Sequence, residues 1–113
     1  MMNSLKKKIY IAKRIIDDST VTKYETPLLY YFNVQPVNGN NELLAYGERI
    51  FSMFKTVIDL KQYEGVFNEG DVVYLNGANP EGEEVNGWKA NYVITSVRPQ
   101  NKVITIYFDK IQK

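Results

Sequence analysis

The sequence predicts a small, mainly β protein, an antiparallel barrel (or a closed sandwich) of six strands with one short helical turn and long loops. The strongest observation is the stretch 90–111, in which two runs of β-branched and aromatic residues flank the turn-forming Pro99, Gln100 and Asn101. Four further short segments suit strands. The last strand is apolar on both faces, which is typical of a closed or doubly covered sheet.

The final hairpin, residues 90–111, supplies the fifth and sixth predicted strands. In its second run Ile104, Ile106 and Phe108 occupy alternate positions, so we expect their side chains to share one buried face. A hairpin alone is marginally stable in water, and the rest of the chain must supply partner strands.

The remaining elements follow from the same patterns. The first strand is residues 6–16, with Ile9, Ile11 and Ile15 on one side. In the second, residues 27–37, Leu28, Tyr30, Phe32 and Val34 share a face. The other predicted elements are a helical turn at 42–46, a third strand at 50–60, a bend at 61–65, a fourth strand at 72–75 and an exposed loop at 76–87. No linker or repeat divides residues 1–113, so one domain is expected, with residues 1–5 as a flexible tail.

The amino-acid composition excludes several classes of functional site. The chain has 113 residues, 44% of them hydrophobic, which is enough for one domain with a core. Cysteine and histidine are absent, which removes disulfides, thiolate metal sites and the commonest general base. No apolar run approaches the ~20 residues that span a bilayer. The basic start is a poor signal peptide because Lys13 and Arg14 interrupt it. We expect a protein made and folded in a cytoplasm, with no membrane partner.

Charge is unevenly distributed along the chain. Residues 1–16 carry five positive charges and no negative ones, which defines a basic face of Lys6, Lys7, Lys8, Lys13 and Arg14. Residues 59–84 hold seven acids and one base, a net charge of −6. Two interpretations stay open. The clustering is either chance on a solvated surface, or the mark of a subunit whose basic and acidic faces meet head to tail in a ring.

Few residues suggest chemistry. Glu69 and Asp71 lie two apart, which places two carboxylates on one side of an extended segment, as acid–base catalysis or cation binding needs. A Gly-Asp pair that enters a strand is more often a turn in which the aspartate bonds nearby amides, and Asp17 and Asp18 suit the same role. No phosphate-binding glycine loop, nucleophile elbow or Ca²⁺ loop is present. We predict no enzyme activity, catalytic residue, cofactor or metal site.

Nucleic-acid binding is an alternative. Tyr10, Tyr30, Tyr31 and Phe32, beside the basic face, could stack bases next to a positive groove, as in an OB-like single-strand module. The opposing interpretation is that these aromatics are core or interface residues. The isoelectric point, about 7.8, is below that of a typical dedicated binder.

Three segments together point to a family: KKKIYIAKRII with YYFNVQPVNG, then LLAYGERIFSMFKTVID, then FNEGDVVYLNGANPEGEEVNGWKANYVITSVRPQNKVITIYFDKI. They resemble the head-closure (stopper, head–tail joining) proteins of long-tailed bacteriophages over residues 6–111. The most telling parts are Tyr46-Gly47-Glu48, the Glu69-Gly70-Asp71 turn with Tyr74-Leu75 behind it, and the hairpin 90–111. None is a catalytic signature, and the resemblance depends on their order and spacing.

The resemblance implies a small β-barrel repeated as a homo-oligomeric ring in the virion neck, made in the bacterial host cytoplasm. The ring would lie beneath the portal-bound adaptor and above a tail terminator or tail tube, with the DNA end in its channel. It would close the filled capsid and dock the tail. Another phage ring of similar size, an adaptor or a tail terminator, is the remaining alternative.

The resemblance also assigns roles to two loops. The connection between the second and third strands would project toward the channel and help to gate it, through Val37, Asn38, Gly39, Asn40, Asn41, Glu42, Glu48 and Arg49. The second long loop would contact a neighbouring ring through Glu81, Glu83, Glu84, Trp88 and Lys89. We further expect that these glutamates would repel DNA phosphate if they faced the channel.

Overall fold

The computed structural model describes residues 6–15, 22–37, 44, 47, 52–75, 78, 80 and 89–111. In these ranges the strands are β1 (Lys7–Ala12), β2 (Arg14–Ile15), β3 (Lys23–Tyr24), β4 (Leu28–Phe32), β5 (Val34–Pro36), β6 (Met53–Asp59), β7 (Val72–Tyr74), β8 (Tyr92–Gln100) and β9 (Val103–Lys110). A short helix, α1 (Leu60–Tyr63), follows β6.

Seven of these strands form one antiparallel sheet in the order β4-β1-β7-β8-β9-β6-β5, curled into a half-barrel. β2 and β3 form a separate two-stranded ribbon. The prediction of a mainly β fold is confirmed. The predicted number of strands and the closure of the barrel are wrong, because the sheet has seven strands and two free ends.

The predicted strand 27–37 explains both errors, because it is divided at Asn33. β4 pairs with β1, whereas β5 pairs with β6 on the opposite edge of the sheet. The Thr56 hydroxyl donates to the Asn33 carbonyl (2.9 Å) at the division. The two end strands of the sheet, β4 and β5, are therefore consecutive in sequence. β5 pairs only with residues 54–56 of β6, and no ladder joins β4 to the rest of β6. We call the gap between β4 and this part of β6 the seam.

Other boundaries differ from the predictions. The predicted strand 6–16 is divided at Lys13 into β1 and β2, and α1 occupies much of the predicted bend at 61–65. The turn of the final hairpin consists of Asn101 and Lys102 rather than the predicted Pro99, Gln100 and Asn101. Pro99 and Gln100 belong to β8, and Gln100 pairs with Val103. Asn101 has a φ of 51°, a left-handed conformation that asparagine tolerates. The predicted helical turn 42–46 lies outside the described residues except for Leu44, which is helical.

The core lies on the inner face of the curled sheet. Ile104, Ile106 and Phe108 share this face and are buried, as predicted. The outer face is also partly covered, because Tyr24 of the β2–β3 ribbon packs against a cluster that contains Ala12, Val72, Tyr74 and Ala90. A bulge between Ile94 and Ser96 interrupts the β8–β9 register. Such bulges bend a strand and increase its twist, which favours the curl.

Candidate functional site

The Glu69-Gly70-Asp71 turn holds three parts of the chain together. Asp71 is 2% exposed, and its two carboxylate oxygens accept the N–H groups of Arg14 and Asn68, each at 3.0 Å. Its carbonyl accepts the N–H of Ile94 (2.8 Å). The turn interpretation of Asp71 is therefore confirmed. Asp71 therefore joins β2, the turn and β8, through a buried carboxylate with both oxygens engaged and through its carbonyl.

Gly70 is required by the same turn. Its φ is 95°, which L side chains rarely adopt, and its N–H donates to the Ile94 carbonyl (2.9 Å). A Cβ at this position would lie 3.1 Å from Nη1 of Arg14. The Arg14 side chain therefore lies over the turn. Glu69 is exposed, so it does not share the buried environment of Asp71.

Four aromatic rings seal the inner side of the seam. Tyr30 and Phe32 project inward from β4, and their rings stack with centroids 5.2 Å apart. Tyr63 of α1 packs edge-on against Phe32 at 5.4 Å, and Phe67 packs edge-on against Tyr30 at 5.2 Å. Edge-to-face and offset-stacked pairs are the favoured aromatic geometries. Side-chain packing thus replaces backbone pairing between β4 and β6.

The Tyr30 hydroxyl lies in this cluster. Burial raises the pKa of Tyr30 above its usual value, and the nearby Tyr63 and the Asp71 carboxylate raise this pKa further. The neutral phenol is therefore favoured in the folded protein.

A groove of about 260 Å³ lies along the seam. One wall is the end of β4 with Lys6, and the other wall consists of Val57 and Asp59 from β6 with Gln62 and Tyr63 from α1. Tyr31 and Val57 are 58% and 52% exposed, respectively, although both are apolar. Such exposed apolar side chains beside unpaired strand edges are typical of a contact surface.

The five predicted basic residues do not share one side of the sheet. The Nζ of Lys7 lies 6.0 Å from the centroid of the Phe54 ring. The Nζ of Lys8 lies 5.8 Å from the centroid of the Tyr10 ring, and both Lys8 and Tyr10 project from the face of β1 opposite to that of Lys7. Lys6 lines the groove, and Lys8 is paired directly opposite Tyr31. Lys13 is half-buried and Arg14 lies over Gly70. Lys6, Lys8, Leu29, Tyr31 and Val57 form what we call the seam patch.

The predicted loop residues are mostly outside the described ranges. Val37 is buried against Met53 and Tyr107, and its N–H donates to the Met53 carbonyl (3.2 Å). The candidate gating loop is thus anchored at its first residue. The others in that loop, Asn38, Gly39, Asn40, Asn41, Glu42, Glu48 and Arg49, lie outside the described residues. Of the ring-contact candidates, Lys89 is exposed, and Glu81, Glu83, Glu84 and Trp88 lie outside them.

The described part of the chain contains neither a candidate cluster of metal ligands nor a helix that could span a membrane. Within these ranges no group of three or more histidine, cysteine, aspartate or glutamate side chains is placed to hold a metal ion. None of the helices in the same ranges has the length and apolarity needed to cross a membrane.

Sequence patterns missed α1 and the residues it brings to the seam. Asp59 is the last residue of β6, as the predicted strand 50–60 has it, but its carboxylate also accepts the N–H of Gln62 (3.2 Å) and so forms the N-cap of α1. Aspartate before Leu-Lys-Gln is a helix-start signal that could have identified this turn. Nothing local indicates that Tyr63 would lie beside Phe32, since 31 positions separate the two in sequence and only tertiary packing joins them.

Comparison with protein-family models, with curated proteins and with solved structures finds no match to this chain.

Proposed function

We propose that the chain is a structural, non-enzymatic subunit of the neck of a long-tailed bacteriophage, where copies form a ring that closes the DNA-filled capsid and docks the tail. The proposal rests on the ordered resemblance of residues 6–111 to head-closure proteins. The observation that supports it most is the Glu69-Gly70-Asp71 turn. The resemblance singles out this turn, and in the structure Asp71 joins β2 to β8 through hydrogen bonds of its carboxylate and its carbonyl.

The proposed mechanism is assembly and mechanical closure. A subunit that retains pressurised DNA must resist deformation, and the interlocked core of the curled sheet gives such stiffness. Within the described residues, the Asp71 carboxylate, which could have suggested catalysis, is occupied by backbone N–H groups. In this proposal the partners are other copies of the chain, an adaptor above, a tail terminator or tail tube below, and the DNA end.

The gate in this proposal is the segment from Val37 to Arg49, with Asn38, Gly39, Asn40, Asn41, Glu42 and Glu48 as its channel-facing candidates. Val37 is buried beside Met53 and Tyr107, so a change that begins at residue 38 leaves this anchor intact. Residues 38–41 are therefore a suitable target for a test that separates gating from folding.

The first experiment locates the chain in a density map of intact virions of the phage that encodes it. Density for the half-barrel in a ring between adaptor and tail is the expected result. Density for this fold at the end of the tail tube would favour the tail terminator instead, and its absence from the neck would refute the proposal.

The second experiment shortens residues 38–41. We expect unchanged folding, measured by circular dichroism and thermal unfolding, together with loss of DNA from tailless capsids, measured as nuclease-sensitive genome. A variant of the β8–β9 turn, Asn101→Gly, is the control because Asn101 already has a positive φ, which glycine also adopts. Full DNA retention and normal tail joining by the shortened variant would contradict the gate.

Single-strand nucleic-acid binding is a second candidate, favoured by one observation. Lys8 lies over the Tyr10 ring and is paired opposite Tyr31, whose ring is exposed, so a cation and an accessible stacking surface are adjacent. Tyr30 and Phe32, in contrast, belong to the core and are not platforms for bases. This candidate predicts oligonucleotide binding that weakens steeply with salt and is lost in Lys6→Glu/Lys8→Glu. Fluorescence anisotropy measures it.

A further inference from the structure

The helix α1 is joined to the sheet by few hydrogen bonds. None of its four residues is buried. At its start the Leu60 N–H donates to the Lys102 carbonyl (3.0 Å). After this bond, the hydrogen bonds in this described part of the chain are local, because the bond that caps the helix is exposed and the Val66 N–H donates to the Tyr63 carbonyl (3.0 Å). Residues 61–66 are therefore held to the sheet by side-chain packing.

The ring of Tyr63 provides most of that packing. It lies edge-on against Phe32 (5.4 Å between centroids) and Tyr30 (6.3 Å), and tilted against Phe67 (5.8 Å). Val66 is also half-buried against the core, whereas the other residues of this segment are exposed. A segment with few buried contacts and an exposed backbone opens at low cost in free energy.

Gly65 supplies a hinge at the far end of the segment. Its φ is 77°, and a Cβ at this position would meet nothing within 4 Å. Glycine adopts positive and negative φ about equally readily. The chain is fixed again just beyond, because Phe67 is buried in the core and the Asn68 N–H donates to the Asp71 carboxylate (3.0 Å). The part that can move therefore ends before Phe67.

Two core side chains lie beside Tyr63. Phe32 and Ile58 are buried, and they line the seam groove together with Tyr63. Ile58 belongs to β6, which is paired with β9 along its whole length. Movement of Tyr63 away from the groove would uncover both side chains and leave the ladders of the sheet intact.

We propose that residues 61–66 form a strap over the seam, which opens as a unit while the seven-stranded sheet stays folded, and that opening uncovers Phe32 and Ile58. The open form is the minor state, because closing the strap restores the aromatic contacts of Tyr63. A partner that binds one of the two states better shifts the population toward that state. The strap goes beyond the proposed function, since it is a property of the single chain and can be measured without a ring.

The test is thiol labelling with iodoacetamide. The chain has no cysteine, so a single introduced thiol reports on one position. Ile58→Cys places the thiol beneath the strap, whereas Ile106→Cys places it on the inner face of β9. Ile58→Cys should be labelled faster, by about tenfold or more, than its own urea-unfolding curve predicts for global unfolding, and with little dependence on urea. Ile106→Cys should follow its own curve.

Two further reporters bracket this result. Val57→Cys, in the exposed seam patch, gives the labelling rate of an accessible thiol, and Ile58→Cys should be labelled more slowly than this, by about tenfold or more. Phe32→Cys, whose native ring contacts Tyr63, replaces Ile58→Cys if that variant does not fold, and the same two differences are expected for it.

Gly65→Ala in the Ile58→Cys background tests the hinge. It strains the closed strap, because an L residue disfavours this φ, and should raise the labelling rate by about fivefold or more. Gly47→Ala is the matched control. Gly47 has a φ of 64°, and a Cβ there would also meet nothing within 4 Å. This control should leave the labelling rate of Ile58→Cys within about twofold, because it adds similar strain outside the strap.

Three results would overturn the inference. In the first, Ile58→Cys is labelled no faster than its unfolding curve predicts, so no separate opening exists. In the second, it is labelled as fast as Val57→Cys, so the strap does not cover it. In the third, Gly65→Ala accelerates labelling no more than Gly47→Ala does. The proposed function is tested separately, by the position of the chain in the virion.

Discussion

The two sides of the half-barrel are held together in different ways. On one side, β8 and β9 are paired along most of their length, and β6 is paired with β9 from Met53 to Asp59. On the other side, β4 and β6 have no ladder between them, and the rings of Tyr30, Phe32, Tyr63 and Phe67 fill the space. The paired side combines backbone hydrogen bonds with a buried apolar face. The seam depends on side-chain packing, with the Thr56–Asn33 hydrogen bond at the end of β4.

The difference indicates which side of the molecule is held by backbone pairing and which side depends on packed side chains. Backbone pairing satisfies the N–H and C=O groups of the paired strands, so nothing further can add there. The outer edge of β4 pairs with none of the other described strands. We therefore expect substitutions on the paired side to change stability more than substitutions on the exposed outer surface of the seam.

The largest expected effect is on the paired side. Phe108→Ala removes a fully buried ring from the inner face and should destabilise the fold by about 3 to 5 kcal/mol. Val57→Ala, on the outer surface of the adjacent strand, is 52% exposed and should cost less than about 1 kcal/mol. Urea unfolding followed by tyrosine fluorescence measures both. Equal losses would contradict the assignment of Phe108 to the core.

Two aspartates with the same hydrogen-bonding role give the next comparison. Asp71→Ala removes a buried carboxylate that accepts the part-buried N–H groups of Arg14 and Asn68, and should cost about 2 to 4 kcal/mol. Asp59→Ala removes an exposed helix cap from α1 and should cost about 0.5 to 1 kcal/mol. The same unfolding assay ranks them. A smaller loss for Asp71→Ala than for Asp59→Ala would show that the turn is not the tie described above.

A smaller effect is expected in the aromatic cluster. Tyr63→Ala removes one ring from the seam but leaves the backbone ladders intact, so the cost should be about 1 to 2 kcal/mol. Tyr63→Phe keeps the ring and should be close to neutral. Faster amide hydrogen exchange in β4 than in β9 should accompany the alanine variant. Uniform exchange across the sheet would mean that the seam is as firmly held as the paired side.

The smallest effect concerns alkaline pH. Because the pKa of Tyr30 is raised in the folded state, the unfolded chain loses this proton first, near pH 10. The contribution of the Tyr30 proton to the free energy of unfolding is fully present below pH ~10 and is lost as the pH rises through the pKa of Tyr30 in the folded protein. Tyr30→Phe should reduce the fall in the urea midpoint between pH 9 and pH 11 relative to wild type. Parallel curves for the two proteins would contradict it.

Much of the fold could be predicted because alternation is a local property. Ile104, Ile106 and Phe108 are two positions apart, and a pleated strand places them on one face wherever it lies. The Asp71 turn was predictable for the same reason, since Gly70 and Asn68 are its sequence neighbours. In the candidate site, Tyr31 and the lysines of β1 were named from sequence, but Val57 and Tyr63 were not.

The missed features depend on pairing between distant segments. Nothing at Asn33 shows that the strand before it pairs with β1 and the strand after it with β6. An alternating run of eleven residues reads as one strand whether or not it changes neighbours. The prediction of a closed barrel was wrong for the same reason. A closed barrel requires that every strand edge has a partner strand, and alternation within one strand does not show which strand lies beside it.

The amino-acid order alone determined that this protein is mainly β, that Ile104, Ile106 and Phe108 share a buried face and that Glu69-Gly70-Asp71 forms a turn, because these follow from patterns within a few positions. Leu28, which alternation placed on the face of Tyr30 and Phe32, is exposed instead. Tertiary structure decided that the sheet has two free ends, that aromatic rings rather than backbone bonds seal the seam, and that Lys6, Tyr31 and Val57 line one groove. Those outcomes depend on which distant segments pack together, and that choice is made by the whole chain at once.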